Sequence, residues 1–481
     1  MSVQANNQSH KPFDAVGAFA SHVVRTRFHD IPEEAVAKAK TFLLDTIGVG
    51  LVGTSGAHAQ EVLSVAAQWG EGSEATVWRS ARRLPAPSAA LVNAYRIHCL
   101  EYDCIHDRAV VHAMTAVVSA LFAWCERSSL RGQPIDGRRF IAAVAVGIDI
   151  ACLLGVATRS PLRFFRPATA GGFGATAAIA NVARFDEVHV KDALGLFFAQ
   201  TCGTMQAHVE GSAALGLQMG FNARAAICAA DFVEAGLRGP HDVLTGPFGY
   251  FALFENGSFD PAPIEHALGR EWQITRLSHK PFPSGRLTHG AIDGMRRLMR
   301  AHGFTAGDVE EVSVYVPPLV MQLVGRPDIP APDSNYAKLC LPFVVGTFLA
   351  RGRVEVADFQ SAEKLHDQEV HALAARVCVV GDKNPDLNTI APQRVVVRLK
   401  DGAVHDVDLP AIFGHPDVPL TQDENLDKFR RCCDNARPAV PPMLQDQIAG
   451  FVDRFENLED VAMLPRLLAV SEESSASLSQ A

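Results

Sequence analysis

Between residue 12 and about residue 260, apolar side chains recur every three or four positions, one helical stripe after another. "DIPEEAVAKAKTFLLDTIGVGLVG" opens on Asp30 as a cap, with Pro32 near the first turn, and then keeps helical spacing. "PSAALVNAYRIHCLEYD", "MTAVVSALFAWCERS" and "DGRRFIAAVAVGIDIACLLGVA" repeat the pattern, as do "TAGGFGATAAIANVARF", "VKDALGLFFAQTCGTM" and "GFNARAAICAADFVEAG". Alanine, glycine, serine and cysteine dominate the inner faces, so these helices are expected to approach one another closely.

Near residue 265 the period shortens. "WQITRLS", "VEEVSVYVP", "ARVCVVGD" and "QRVVVRLKDGAVHDVDL" carry β-branched residues in alternation, which predicts strands. Asp401-Gly402 between two such runs is a hairpin signal. The helical stretches "THGAIDGMRRLMRAHG" and "KLCLPFVVGTFLARG" lie among them, and after 420 "TQDENLDKFRRCCDNA" and "MLQDQIAGFVDRFENL" are helical again. The predicted fold is mainly α. A large all-helical domain takes residues 12–264 and 411–465, and a smaller α+β domain, residues 265–410, interrupts it.

Composition agrees with two domains: 481 residues, 48% hydrophobic and 20% charged, exceed the roughly 250–300 residues at which single cores stop growing. The polar ends "MSVQANNQSH" and "SEESSASLSQA" have little to bury and are expected to stay unpacked. A net charge of −9 without a Lys/Arg stripe argues against nucleic acid as a partner. The apolar run at residues 140–157 carries Asp149 in its middle and stands alone, so it is read as a buried helix, with no membrane partner. The first apolar stretch lacks the basic-then-apolar order of a signal peptide. The ten cysteines show no CxxC pair and no zinc-like Cys/His spacing. A cytoplasmic location and reduced thiols are the expectation, with no motif that calls for a cofactor.

Three clusters could carry chemistry. "LEYDCIHDRAVVHAMTA", residues 100–116, holds Glu101, Asp103, His106, Asp107, Arg108 and His112 in an irregular segment between two helices. A histidine at the start of the second helix, as His112 would be, is pushed towards its neutral form and suits a base; the alternative is a solvated loop with a histidine cap. Within the segment Asp103 and His112 stand out, His106 stays a candidate, and Asp107 and Arg108 are expected to be solvated. In "RFFRPATAGGFGATAA", Arg166 could hold a substrate carboxylate with its planar fork. The glycines that follow lack phosphate-loop spacing and read as close helix packing. "HKPFPSGRLTHGAIDG" offers Lys280, Arg286 and His289, with Gly285 permitting an unusual turn; a charged surface loop is the alternative. His208, Glu210, Lys338 and Cys340 are lesser candidates, His208 being equally readable as a satisfied buried histidine.

These clusters, in this order and with "FLLDTIGVGLVG" ahead of them, resemble the MmgE/PrpD family, which includes 2-methylcitrate dehydratases, cis-aconitate decarboxylases and an iminodisuccinate epimerase. Glu101-Tyr102-Asp103-Cys104-Ile105-His106 followed by His112-Ala113 resembles the family's D-Y-D-D-T-H-x(5)-H-P segment. Gly147-Ile148-Asp149 looks like its G-Y-E helix, and Lys280-Pro281-Phe282-Pro283 with Arg286 and His289 matches its K-P-[YF]-P-x-x-R-x-x-H segment. Ala337-Lys338-Leu339-Cys340-Leu341-Pro342-Phe343 resembles A-K-F-S-x-P-Y, and Gly414, Pro416, Pro419, Leu420, Lys428 and Phe429 meet the closing pattern. The likeness covers roughly residues 12–460. It implies a helical domain with an α+β lid, a homodimer, and a site between the domains. The implied chemistry is metal-free removal of a proton or carboxylate beside a carboxylate.

The departures bear on the substrate. Glu101 replaces the first acid, Ile105 replaces a threonine, and Arg166 stands near a family histidine. Leu215 and Gln218 stand where decarboxylase- and dehydratase-like members carry lysine and histidine, and Gly285 where decarboxylase-like members carry histidine. The expectation is a lyase for a small anionic di- or tricarboxylate, water elimination ahead of epimerisation or isomerisation and of decarboxylation. His112 would act as base or acid with Asp103 beside it and His106 near; Arg166, Lys280, Arg286, His289, Glu101 and His208 would surround the substrate. The rival is a binding protein that kept the fold and lost its acid–base set.

Overall fold

The acidic start of the first long helix does its work slightly displaced from where the sequence suggests. In the computed structural model, which describes residues 13–470, Asp30 accepts the Arg27 amide at 2.8 Å and closes a short 3-10 turn. Pro32 rather than Asp30 precedes helix α1 (Glu33–Val52), whose first turn carries Glu33 and Glu34 at its positive end. The two polar termini expected to stay unpacked lie outside the described residues.

Against α1 pack α2 (Ala86–His98), α3 (Ala113–Leu130) and α4 (Gly137–Ala157), and on these in turn pack α5 (Arg166–Val182) and α6 (Ala214–Glu234). The small residues do what their spacing predicts. A Cβ on Gly147 of α4 would come within 2.7 Å of the Gly174 carbonyl of α5, and one on Gly174 would strike the Gly147 carbonyl in turn. Helix α4 is the one helix among the described residues long and apolar enough to cross a membrane, and its apolar window is wholly buried in the protein. Its Asp149 meets His22 Nε2 at 3.1 Å and accepts the Gln273 amide at 2.7 Å. That second bond explains why "WQITRLS" forms a 3-10 turn, Gln273–Arg276, where a strand was expected: its backbone is tied to a buried side chain of the helical layer.

A second core lies beyond residue 287. Helices α7 (His289–His302) and α8 (Leu341–Arg351) accompany a four-stranded sheet of β1 (Val309–Val316), β2 (Val377–Gly381), β3 (Gln393–Leu399) and β4 (Val404–Leu409) in the order β2-β1-β3-β4. β1 and β2 run parallel; the other pairs are antiparallel. Val395 and Val397 of β3 are buried while Arg394 and Arg398 face outward, the alternation of a sheet covered on one side. Asp401 and Gly402, the latter at φ +89°, turn β3 into β4 as expected.

The chain then returns to the helical layer through α9 (Gln422–Asp434) and α10 (Pro442–Asp453). Lys428 of α9 reaches Asp45 of α1 at 2.6 Å, both buried, and its ammonium lies 4.1 Å from the centre of the Tyr102 ring. Two apolar clusters result. One gathers side chains from Ala15 to Leu277 and from Phe429 to Leu468, with Leu339 and Val356; the other gathers the remaining core residues from Leu287 to Ile412 together with Val110 and Leu162. The catalytic candidates lie where these two clusters meet.

Candidate active site

Helix α2 ends at His98, and Glu101 then takes φ +52°, a left-handed conformation uncommon outside glycine. That turn folds Glu101 and Asp103 back against His98. Further on, Val110 sits at φ +54°, where a β-branched residue costs on the order of 1–3 kcal/mol. The strain delivers the Val110 side chain into the second core, while the neighbouring Ala109 and Val111 pack in the first. Residues 99–112 are therefore held by both cores, and they finish at His112, the residue preceding α3.

The opposite wall is the segment from Ser278 to His289. Ile105 and Ser278 exchange two backbone hydrogen bonds, of 3.0 and 2.7 Å, which fixes the register of the two walls. In that register Lys280 Nζ donates to Glu101 Oε2 at 2.8 Å and stands 3.8 Å from Asp103 Oδ1.

Asp103 is the hub. Its Oδ2 lies 2.9 Å from His98 Nδ1, 3.3 Å from His112 Nδ1 and 2.5 Å from the Thr115 hydroxyl. His112 Nδ1 also faces the Cys104 carbonyl at 3.0 Å, which leaves Nε2 without a protein partner among the described residues. His98 Nε2 is 3.4 Å from Glu101 Oε1, and the two imidazole rings meet edge to face at 5.0 Å. All these groups are buried.

The two histidines titrate in opposite directions. Burial lowers His112, and the nearby Lys280 adds to it, against the opposing pull of Asp103; the neutral base is the resting form. At His98 burial is outweighed by Asp103 and Glu101 together, so its pKa rises and the ring is held towards imidazolium. Asp103, buried yet flanked by both histidines, stays well below the usual carboxylate range, and Glu101, beside Lys280 and His98, falls to about 2.

Of the residues nominated from the sequence, Glu101, Asp103, His112 and Lys280 come together. His208 stands at the edge of this group with Arg326 Nη2 3.2 Å from its Nδ1; burial and that arginine lower it to about 4. His289 lies behind Lys280, its Nε2 3.2 Å from the Ser284 carbonyl and its Nδ1 without a partner. His106 turns away: it takes the Ala109 amide at 3.0 Å and faces Gln273 Oε1 at 3.2 Å, beside a separate surface groove of about 550 Å³.

Four expectations need correction. Arg166 does not offer its fork to a ligand, because Glu255 takes Nε at 3.2 Å and Nη2 at 3.4 Å while Asn388 and two carbonyls take the rest. Arg286 likewise spends its donors on Asp107 and on the carbonyls of His279, Ile412 and Phe413. Asp107 is thus buried and paired rather than solvated, although Arg108 is exposed as expected. Gly285 has an ordinary φ of −53°, and a Cβ there would meet only the movable Leu339 Cδ2 methyl, at 2.8 Å, so the turn does not require glycine.

Sequence reasoning passed over His98, Thr115 and Arg326, and ranked Lys338 low. His98 did leave a signal, a titratable residue inside an apolar helical stripe five positions before Asp103. Ligand atoms of His98, Asp103 and His112 lie within 4.8 Å of one another, a spacing a divalent cation could use. Both Nδ1 atoms already face Asp103, however, and Lys280 brings positive charge to the same carboxylate. The donor set therefore suits proton chemistry better than ligation.

The MmgE/PrpD N-terminal domain model matches residues 17–262 and the MmgE/PrpD C-terminal domain model matches residues 282–449. The chain belongs to the MmgE/PrpD family. Cis-aconitate decarboxylase of Mus musculus is 26% identical over 94% of this chain and 92% of its own. The Homo sapiens cis-aconitate decarboxylase is 26% identical, with 94% of each chain covered, and that of Aspergillus terreus is 23% identical over 91% and 92%.

Within this MmgE/PrpD frame the departures have visible positions. Leu215 and Gln218 lie in the first two turns of α6, which packs against Cys99 at the end of α2. Gln218 Oε1 is occupied by the Thr204 amide at 2.6 Å, and Leu215 is buried, so α6 brings no charge to the site. Ile105 contributes its backbone to the Ser278 pairing and buries an apolar side chain.

Proposed function

We propose that this protein is a lyase for a small di- or tricarboxylic acid, with His112 Nε2 taking a proton from the carbon beside a carboxylate. The observation that carries the reading is one buried aspartate shared by two histidines whose pKa values move apart, which is how a single site provides a base at neutral pH. Asp103 and the Cys104 carbonyl fix the Nδ1 side of His112, leaving Nε2 as the working nitrogen. Lys280, Lys338, Arg326 and the His98 imidazolium outnumber Glu101 and Asp103, which favours a multiply charged anion. The charge developing on the substrate carboxylate in an enolate-like state would be met by Lys280. The reading needs no metal: His112, once protonated, can return that proton to a hydroxyl leaving the adjacent carbon, which makes water elimination the favoured form.

A second reading, loss of carbon dioxide, is favoured by the named activity of the relatives. One experiment separates them. Di- and tricarboxylic acids, cis-aconitate included, are incubated with the protein in deuterium oxide and followed by NMR. Deuterium entering beside a carboxylate with the carbon skeleton intact supports proton abstraction. Carbon dioxide released from cis-aconitate supports the second reading. Binding without exchange, elimination or decarboxylation for any acid points to a protein that holds carboxylates without transforming them.

A further inference from the structure

Arg326 reaches the site from the second core, in the loop after the short helix Pro318–Val324. Its Nη2 donates to the carbonyls of His208 at 3.0 Å and Leu323 at 3.2 Å, and its plane lies 4.9 Å over the Tyr336 ring. Its Nη1 is buried and meets no partner. An orphaned guanidinium N–H is costly and calls for an explanation. Lys338 repeats the theme: buried, it gives one of its three N–H groups to the Cys99 carbonyl at 2.6 Å. Among the described residues no protein carboxylate stands within ion-pair range of the half-buried Arg326 or the buried Lys338, whereas the deeper Arg166 and Arg286 each have their own. Cys99 follows His98 directly, so Lys338 borders the Asp103 cluster. His208 sits between that cluster and Arg326, neutral and unable to supply a counter-charge.

We propose that Arg326 and Lys338 form the subsite for a second carboxylate, the one remote from the carbon that His112 deprotonates. The inference rests on the carboxylate reading of the site and narrows it: the substrate carries anionic groups at both ends, and a one-ended acid is discriminated against from this side. Arg326 suits the role because Nη1 keeps its N–H groups for a carboxylate while Nη2, bonded to the His208 and Leu323 carbonyls, and the Tyr336 ring hold its plane. Delivery of both cations from the second core also means that a bound polycarboxylate bridges the two cores.

The probes are tricarballylate, a tricarboxylate with no group to eliminate, and butyrate, with one carboxylate. Both are titrated by ligand-observed NMR into the wild-type chain and the Arg326→Gln, Arg326→Lys and His112→Ala variants, with circular dichroism to check folding. Tricarballylate is expected to bind wild type and His112→Ala alike and to lose about tenfold or more in affinity with Arg326→Gln, while butyrate shifts by less than about twofold. Arg326→Lys keeps the charge without the planar group that the two carbonyls hold in place; a loss of about threefold or more for tricarballylate is expected, so the idea stays testable if the glutamine variant fails to fold. Unchanged tricarballylate affinity in a folded Arg326 variant overturns the subsite and leaves the His112 reading standing. Failure of wild type to bind either acid sinks both.

Discussion

Arg286 holds Asp107 with two parallel bonds, Nε to Oδ1 at 3.1 Å and Nη2 to Oδ2 at 3.0 Å, and both side chains are buried. The Ser278 hydroxyl adds a third donor to Asp107 at 2.9 Å. The pair clamps the two walls of the site together, and the remaining Arg286 donors go to backbone carbonyls. Asp107→Ala leaves a guanidinium buried without its counter-charge, which costs about 3–5 kcal/mol. The check is denaturant unfolding, where the variant should show a correspondingly lower midpoint; an unchanged midpoint would remove the clamp from the account.

His112 and Asp103 should separate activity from stability. His112→Gln is expected to lower turnover of any substrate found by at least about a hundredfold with little loss of melting temperature. Asp103→Asn breaks contacts to His98, His112 and Thr115 at once, and should lower stability by on the order of 3 kcal/mol as well as activity. Comparable melting curves for the two variants would mean that Asp103 is not the hub described.

The opposed shifts set the pH profile. Activity needs neutral His112, whose pKa is lowered by burial, so the acid limb of kcat/KM should lie below the ordinary histidine value of about 6.5. His98 is raised, so a second limb should appear above that value, where its imidazolium and the order it gives Asp103 are lost. The apparent values belong to the coupled network and not to either ring alone. His98→Asn should erase the alkaline limb while keeping the acid one; a profile identical to wild type would contradict the pairing.

Three buried histidines should also make the fold acid-sensitive. Burial brings His106, His208 and His279 each to about 4. Their folded pKa lies below the unfolded one of about 6.5, so the unfolded chain binds more protons between those values, and stability falls as pH is lowered through that window. Each histidine contributes a slope of up to about 1.4 kcal/mol per pH unit there. Melting temperatures measured from pH 7 to 4.5 should drop steadily, and His279→Gln should flatten the slope.

The sequence exposed what is local. Asp103 and His112 were legible because an irregular acid–histidine stretch between two apolar helices has few structural uses, and Lys280 because prolines on either side of Phe282 stiffen its path. Arg166 misled for a tertiary reason: the glutamate that takes its fork, Glu255, is 89 residues further on. Arg326 was invisible because its meaning lies in what it lacks, a carboxylate partner, and only packing shows that. "WQITRLS" has strand composition, but the Asp149 carboxylate claims its Gln273 amide, and composition alone carries no record of that bond. The helical layer was readable throughout because its period is written in every stripe.

The ion pair of Asp45 with Lys428 has a consequence for how the protein is made. Asp45 lies in α1 and its counter-charge in α9, with the entire sheet-bearing core in between. On a translating ribosome the early helices emerge with this carboxylate unmatched, and it cannot settle into an apolar interior until α9 has followed. The helical layer is therefore completed last although it is begun first, and a chain interrupted before α9 would carry a buried site for charge with nothing to fill it.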